Sequence, residues 1–282
     1  MAARAPVLES VRAAILFARA SVPRVAGVLG LVMLLNIAGD MAGGWAAGVS
    51  TLVATLLGSL MANAALLRLA FSDEHPGDPE FSIGPQGFQF GRPELRLLGA
   101  IGLLMLFAFL AVLFLLLLAF IFTIAMVVAV HGQTAVPTAA TTLPPDVQAM
   151  LSLLILTFAL ALLWMAVRIC LYPAATVATQ RIQVFSTWRL TGGNWWRIFA
   201  AFVLLLLPAI VLAGLLEASQ HFPPLQAGIA ILSAAVNAFV EIPLFCGLYA
   251  YLYKRLRSAN STPAMSAAAA EVRSEGLAGP WG

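Results

Sequence analysis

The chain is short of charged residues: 10% of its 282 residues are Asp, Glu, Lys or Arg, whereas 62% are hydrophobic. A water-soluble domain carries about a quarter charged residues, so this chain cannot cover a globule with a polar surface. It is also short of cysteine, because Cys170 and Cys246 are its only two and both lie in apolar runs. This composition excludes a soluble enzyme, a disordered protein and a disulfide scaffold, and it favours a polytopic membrane protein.

Catalytic signatures are also absent from the sequence. It has no Gly-x-Ser-x-Gly elbow, no His-Glu-x-x-His pair, no Walker loop and no glycine-rich dinucleotide fingerprint. With three histidines in all, it offers few groups for general acid–base catalysis. The net charge of +3 is not gathered into a patch that would bind nucleic acid. We therefore predict no enzymatic activity, no cofactor, no metal and no nucleic-acid partner.

The basic residues form four groups that predict the membrane topology. The groups lie near residues 4–24, 68–96, 168–197 and 254–273, and they leave three stretches without Lys or Arg, 25–67, 97–167 and 198–253. Each stretch can hold two spans of about 20 residues. By the positive-inside rule the basic side, with both termini, is cytoplasmic. Together with an Arg-, Ala- and Leu-rich composition, this predicts a multi-pass protein of a bacterial inner membrane.

The predicted fold is an all-α transmembrane bundle of six spans arranged as three hairpins. We place the spans near 24–42, 46–70, 97–122, 148–172, 197–216 and 226–252. An amphipathic helix over 1–23 should precede the membrane domain 24–257, and a second surface helix is expected over 181–191. Alternating apolar and polar residues predict a short β-hairpin at 81–90. The Ala- and Ser-rich tail, 258–282, is predicted to be disordered and cytoplasmic.

Polar residues inside the spans are the first candidates for a binding site, because such groups are costly in lipid. Ser233, Asn237 and Glu241 follow at intervals of four in the sixth span, just before Pro243, so they share one helix face. Arg168 is the nearest basic candidate to pair with Glu241. The interior could also include further polar or helix-breaking residues, namely Asn36, Asp40, Asn63 and Pro208. The alternative is a hydrogen-bonded Glu241 that only ties helices together.

The segment before the fifth span is rich in aromatic and basic residues. We predict a lipid-interface role for six of its side chains, Trp188, Arg189, Asn194, Trp195, Trp196 and Arg197. Gly192 and Gly193 can end a surface helix, and Asn194 can serve as the N-cap of the next helix. The alternative is an anchor that fixes the fifth span without recognising a headgroup.

Three other patterns have a structural and a functional interpretation. Small residues at every fourth position of the second span, Ala46, Ser50, Ala54, Gly58 and Ala62, predict close helix packing. The acidic cluster Asp73, Glu74, His75, Asp78 and Glu80 could bind a divalent cation, although a solvated loop is the simpler interpretation. A zinc site from Glu217, His221, His131 and Asp146 is conceivable.

Two short runs resemble a known family. The run from Phe185 to Phe199, FSTWRLTGGNWWRIF, and the end of span six, from Pro243 to Leu256, are similar to the membrane domain of glycerophosphoryl diester phosphodiesterases and to bacterial membrane proteins related to it. The resemblance implies a six-helix bundle in a lipid or envelope context. The chain lacks the phosphodiesterase barrel and its Glu/Asp/His metal site, so the resemblance implies no catalytic residue.

These patterns lead to one expectation and one alternative. The expected function is a non-catalytic inner-membrane module that binds membrane lipids or another membrane protein. The alternative is a small-solute transporter or permease that uses the face formed by Asn237 and Glu241. A transporter should have a polar cavity that reaches Glu241, whereas a scaffold should have a packed interior.

Overall fold

The structure, a computed structural model, describes residues 6–41, 45–131, 145–219 and 222–277. Within them it is all-α, without a β-strand, as the sequence predicted. The helices in chain order are α1 (Val7–Met41), α2 (Trp45–Phe71), α3 (Arg92–His131), α4 (Pro145–Ile169), α5 (Tyr172–Thr179), α6 (Thr187–Leu190), α7 (Trp195–Ala218), α8 (Pro223–Val236) and α9 (Ile242–Leu277).

Six segments of the described chain are long and apolar enough to cross a membrane. They are Val7–Gly39, Gly48–Glu74, Pro85–Ala125, Gln148–Thr179, Trp195–Ala218 and Leu225–Ala259. Each contains or largely overlaps one predicted span, so the prediction of six spans is confirmed. The protein is therefore a polytopic membrane protein by the length and composition of its helices.

The first of two structural units, Met1–Ala100 with Arg168–Gly282, is a bundle centred on α1. Helix α1 packs along α2 and α9 and also contacts α7 and α8. The approach to α9 is close, because a Cβ built on Gly247 would lie 2.9 Å from Phe17 Cδ1 and 3.1 Å from Ala14 Cα. Small residues on α1, including Ser10, Ala14 and Ala18, form the buried face. Backbones separated by so little side chain gain van der Waals contact, which drives helix association in lipid.

The predicted amphipathic helix at 1–23 is the first part of α1 rather than a separate element. The helix continues through Pro23 with a kink at Val25, whose φ and ψ are −120° and 17°. Proline has no N–H to bond the preceding turn and crowds its carbonyl, so it bends the helix without ending it. Leu8 and Ile15 are exposed, as expected for a face turned towards lipid.

The second unit, residues 101–167, consists of the greater parts of α3 and α4. From Ile101 to Ala125 no side chain is buried, although the run is apolar on all sides. Threonine hydroxyls in both helices of this unit donate to carbonyls four residues earlier, Thr123 to Ala119 at 2.8 Å and Thr157 to Leu153 at 2.8 Å. Such local bonds let a polar side chain stay in an apolar medium, so these helices suit direct contact with lipid.

Three local predictions need correction or comment. The β-hairpin at 81–90 is wrong: Pro79–Phe81 and Pro85–Gly87 form 3-10 turns, because proline removes ladder donors and Gln86 and Gly87 have positive φ. The surface helix at 181–191 is also wrong except for α6, as described below. Helix α9 extends to Leu277, where the composition predicted disorder from 258; this alanine-rich stretch has high helix propensity.

Candidate functional site

The sixth span contains a π-helical turn at the residues singled out from the sequence. Between α8 and α9, Asn237–Glu241 form this turn, in which the N–H of Ile242 donates to the carbonyl of Asn237 five residues earlier. Pro243 follows at once, and a proline in a helix cannot donate to the preceding turn. Widening the turn by one residue is one way to accommodate that loss, and such π-turns are frequent at functional sites.

A chain of side-chain hydrogen bonds runs from α1 across this turn. The Nδ2 group of Asn36 donates to Oδ1 of Asn237 over 3.2 Å. The Nδ2 group of Asn237 in turn donates to Oε2 of Glu241 over 3.1 Å. The structure therefore brings together three of the polar residues predicted for the interior, and it joins the first and sixth spans through them.

A cavity of about 440 Å³ lies beside this chain of hydrogen bonds. Its polar lining consists of Asn36, Ser233, Asn237 and Glu241. The rest of the wall is small or apolar: Ala209, Ala213 and Leu216 of α7, with Ala230 and Ala234 of α8. This volume falls in the range of small-molecule sites, about 300–1,000 Å³, and a few convergent polar groups in an apolar wall are their usual composition.

Glu241 keeps free acceptor capacity in this cavity. It is half-buried, and among the described residues Asn237 is its one hydrogen-bonding partner. A carboxylate has two oxygens and about four acceptor positions. The remaining positions can accept a proton, a cation or an N–H group of a ligand.

Arg168 does not pair with Glu241. Its guanidinium carbon lies 5.6 Å from the centre of the Trp188 ring, and Nη1 donates to the Trp188 carbonyl over 3.4 Å. The Thr191 hydroxyl donates to the Arg168 carbonyl over 2.9 Å. The conspicuous run around Trp188 thus holds the end of α4 rather than supplying a counter-ion to the cavity.

Asn63 and Pro208 lie apart from the cavity. Asn63 Nδ2 donates to the Ser59 carbonyl over 2.7 Å, and its Oδ1 accepts from Cys246 Sγ at 3.1 Å, so it links α2 to α9. Pro208 is exposed on α7. The side chain of Asp40 lies outside the described residues.

The predicted surface helix at 181–191 is replaced by a loop held by side-chain hydrogen bonds. Gln180 ends α5 in the left-handed conformation, with φ of 54°. The N–H of Gln183 then donates to Thr176 Oγ1 over 3.3 Å, and Thr187 Oγ1 donates to the Val184 carbonyl over 3.0 Å. Hydroxyls that bond nearby backbone groups compete with a helix, so only Thr187–Leu190 is helical.

The aromatic residues at the start of α7 form a partly exposed cluster. Trp195 meets Trp196 edge-on at 4.4 Å and stacks on Phe199 at 5.2 Å, while Trp196 is 74% exposed. Gly193 has φ of +78°, and Asn194 takes the N-cap position through its carbonyl, which accepts from the next turn. Exposed indole rings suit a membrane–water interface, so the interfacial role predicted for Trp195 and Trp196 stays a prediction with a compatible geometry.

A deeply buried ion pair of the bundle, Arg68 with Glu94, was not predicted from the sequence. Arg68 Nη2 and Glu94 Oε2 lie 2.5 Å apart, and both side chains are 1% exposed. Glu94 Oε2 also accepts from the Gly91 N–H over 2.8 Å. The available signal was Gly91-Arg-Pro-Glu94, because a Glu three residues after an N-cap is typical of a capping box. Among the described residues, Arg68 Nε, Arg68 Nη1 and Glu94 Oε1 have no hydrogen-bond partner.

The acidic loop after α2 is engaged in ion pairs and hydrogen bonds. Its carboxylates bind neighbouring side chains: Glu74 pairs with Lys254 at 3.1 Å, Asp78 accepts from Gln180 at 2.8 Å, and Glu80 accepts from Arg96 at 2.6 Å. Within the described part of the chain, no group of three or more His, Cys, Asp or Glu is placed to hold a metal ion. The side chains of His131 and Asp146, and residue His221, lie outside that part.

Comparison with known proteins adds no family to this description. No protein-family model, no curated protein and no solved structure matches the chain. The described part of the chain has the fold of an integral membrane protein, with six helical segments long and apolar enough to cross a membrane.

Proposed function

We propose that this protein is a non-catalytic inner-membrane module that binds an amphiphile or lipid carrying a cationic amine in the cavity beside Glu241. The observation that carries the proposal is the chain Asn36–Asn237–Glu241 at a π-turn, next to a cavity of about 440 Å³. A carboxylate with unused acceptor positions attracts an ammonium group. The alanine-lined wall can hold an alkyl chain.

The position of the cavity along the helices puts it at membrane depth, away from the basic end of the bundle. Glu241 lies 13 residues before Lys254, which places it about 20 Å along the helix from the basic end of the bundle. The cavity extends from Glu241 towards Leu216 and Ala230, away from that end. With the basic end in the cytoplasm, the cavity occupies the outer half of the membrane.

Two other expectations belong to this proposal. The exposed aromatic cluster at Trp195 and Trp196 favours contact with lipid headgroups on the cytoplasmic side. The resemblance of two short runs to phosphodiesterase membrane domains also suggests a lipid context. Another membrane protein remains the alternative partner.

A small-solute transporter is the second candidate, and the cavity itself favours it. A carboxylate near the middle of a span, at an irregular turn that lines a cavity, is typical of solute and ion pathways. Proteoliposomes loaded with a pH-sensitive dye would reveal Glu241-dependent proton or methylammonium flux. Binding without flux favours the module, and flux lost in Glu241→Gln favours the transporter.

Binding of n-decylammonium, a lipid-soluble amine without phosphate, tests the proposed site. The purified protein should be stabilised against thermal unfolding by n-decylammonium more than by n-decanol. Glu241→Gln removes the charge while keeping the shape, and it should weaken the binding about tenfold or more.

The matched control is Glu217→Gln, which makes the same change at an exposed residue outside the cavity lining. It should bind n-decylammonium like the unaltered protein. Equal binding by the unaltered protein and both variants would show that Glu241 does not hold the amine.

A further inference from the structure

A second cavity lies at the basic end of the bundle, separate from Glu241. Its volume is about 600 Å³, and its lining residues are Thr179, Gln183, Ser186, Arg189, Leu190, Tyr253 and Arg257. It shares no residue with the lining of the Glu241 cavity. Along the sixth span, Tyr253 lies 12 residues after Glu241, a distance of about 18 Å. We call it the arginine cleft.

The charge of the arginine cleft is uncompensated among its lining residues. Arg189 of α6 and Arg257 of α9 both contribute, and no acidic residue of the described chain belongs to the lining. Guanidinium groups pair with phosphate through two parallel hydrogen bonds. Two of them from different helices can therefore hold one phosphate group from two sides.

Neutral donors lie beside the two arginines. Ser186 donates to Gln183 Oε1 over 2.7 Å, which leaves the amide nitrogen of Gln183 to donate elsewhere. The hydroxyl-bearing Tyr253 is 4% exposed, and its ring packs edge-on against Phe71 at 6.0 Å. The cleft thus combines charge with N–H and O–H donors, the groups that bind phosphate oxygens.

The backbone around the cleft is held in place before any ligand binds. The left-handed Gln180 turns the chain out of α5, and the bonds of Gln183 to Thr176 and of Thr187 to Val184 shape the loop. These bonds set the start of α6, which carries Arg189. A site assembled in this way loses less conformational entropy on binding.

We propose that the arginine cleft is a binding site for a phosphate group, supplied either by a phospholipid headgroup or by free phosphate. Arg189 and Arg257 bind the phosphate oxygens, and Gln183 and Tyr253 donate further hydrogen bonds. Basic pockets at the cytoplasmic ends of transmembrane helices are suited to acidic headgroups. The proposal does not depend on the role of Glu241.

Binding measurements on the full-length protein in detergent test this proposal with three probes. Dihexanoyl phosphatidic acid carries the phosphate on a lipid, inorganic phosphate carries it alone, and dihexanoylglycerol lacks it. Ionic strength is matched with chloride throughout. We expect Arg189→Gln and Arg257→Gln each to weaken binding of a phosphate-bearing probe about tenfold, and the double variant to abolish it.

Arg255→Gln is the matched control, because it removes the same charge from the same helix at an exposed residue outside the cleft. Thermal unfolding without a probe checks that every variant is folded. Binding of phosphatidic acid but not of inorganic phosphate assigns the site to a lipid, and binding of both assigns it to phosphate in general. The proposal is overturned by the absence of phosphate-dependent binding, or by equal weakening in Arg255→Gln and the two cleft variants.

Discussion

Replacing only one partner of the buried pair Arg68–Glu94 should lower the free energy of unfolding by an unusually large amount. Arg68→Met leaves the Glu94 carboxylate at 1% exposure, with the Gly91 N–H as its one remaining hydrogen-bond donor in the described chain. Glu94→Leu leaves a buried guanidinium whose Nε and Nη1 already have no partner there. Breaking a buried ion pair in this way costs about 3–5 kcal/mol.

The double variant Arg68→Met/Glu94→Leu should recover most of that loss. Two apolar side chains of similar volume can pack against each other in the same space. They avoid the desolvation cost that the two charges incur. We therefore expect the double variant to lie within about 1 kcal/mol of the unaltered protein. The interaction energy from the double-mutant cycle should then be at least about 5 kcal/mol in magnitude.

The assay is reversible unfolding by titration with sodium dodecyl sulfate in mixed micelles, followed by tryptophan fluorescence. A loss of about 3 kcal/mol changes the unfolding equilibrium constant by more than a hundredfold. Arg68→Lys, which keeps the charge, serves if Arg68→Met does not fold, and it should lose less. A loss of no more than about 0.5 kcal/mol in Arg68→Met would contradict the expected cost of the unpaired charge, and so would a double variant that loses the sum of the single losses.

Two further predictions concern helix packing and capping. Gly247→Leu should destabilise the bundle by about 3 kcal/mol in the same titration, because the new Cβ would lie 2.9 Å from Phe17 Cδ1. The control is Gly228→Leu, whose new Cβ would have no neighbouring atom within 4 Å. It should change stability by no more than about 0.5 kcal/mol. Lys254→Met should cost about 1 kcal/mol, because Nζ donates to the Ala70 carbonyl at the end of α2 over 2.6 Å. The part of the loss that comes from the ion pair of Lys254 with Glu74 should shrink in high salt. An unchanged titration midpoint in Gly247→Leu or in Lys254→Met would show that the contact at that residue does not stabilise the bundle.

The spans could be predicted because their signal is local and one-dimensional. A run such as 101–125 is apolar on every side and long enough to cross a bilayer, whatever it packs against. The shared face of Ser233, Asn237 and Glu241 could also be predicted, because it follows from helical spacing alone. Both features are present in the structure.

The two wrong predictions, at 81–90 and 181–191, have a common cause: local turns and side-chain hydrogen bonds compete with regular secondary structure. The alternation at 81–90 predicts a hairpin, but Pro79 and Pro85 start 3-10 turns instead. The segment 181–191 has helical spacing of its apolar residues. However, its backbone groups bond side-chain hydroxyls, as the Val184 carbonyl does with Thr187, and not the next helical turn. A few hydrogen bonds of about 1 kcal/mol each decide such segments, and periodicity does not reveal them.

Composition and residue order are enough to predict a membrane protein with six spans, because scarce charge and long apolar runs do not depend on how the helices pack. Which polar groups contact one another depends on how the helices pack. In the folded chain Asn36 bonds Asn237, which lies 201 positions later, and Arg68 pairs with Glu94. Arg168 contacts Trp188 and not Glu241, the partner predicted for it. The physical reason is that helical spacing places a residue on a face, whereas its partner is set by how the helices pack.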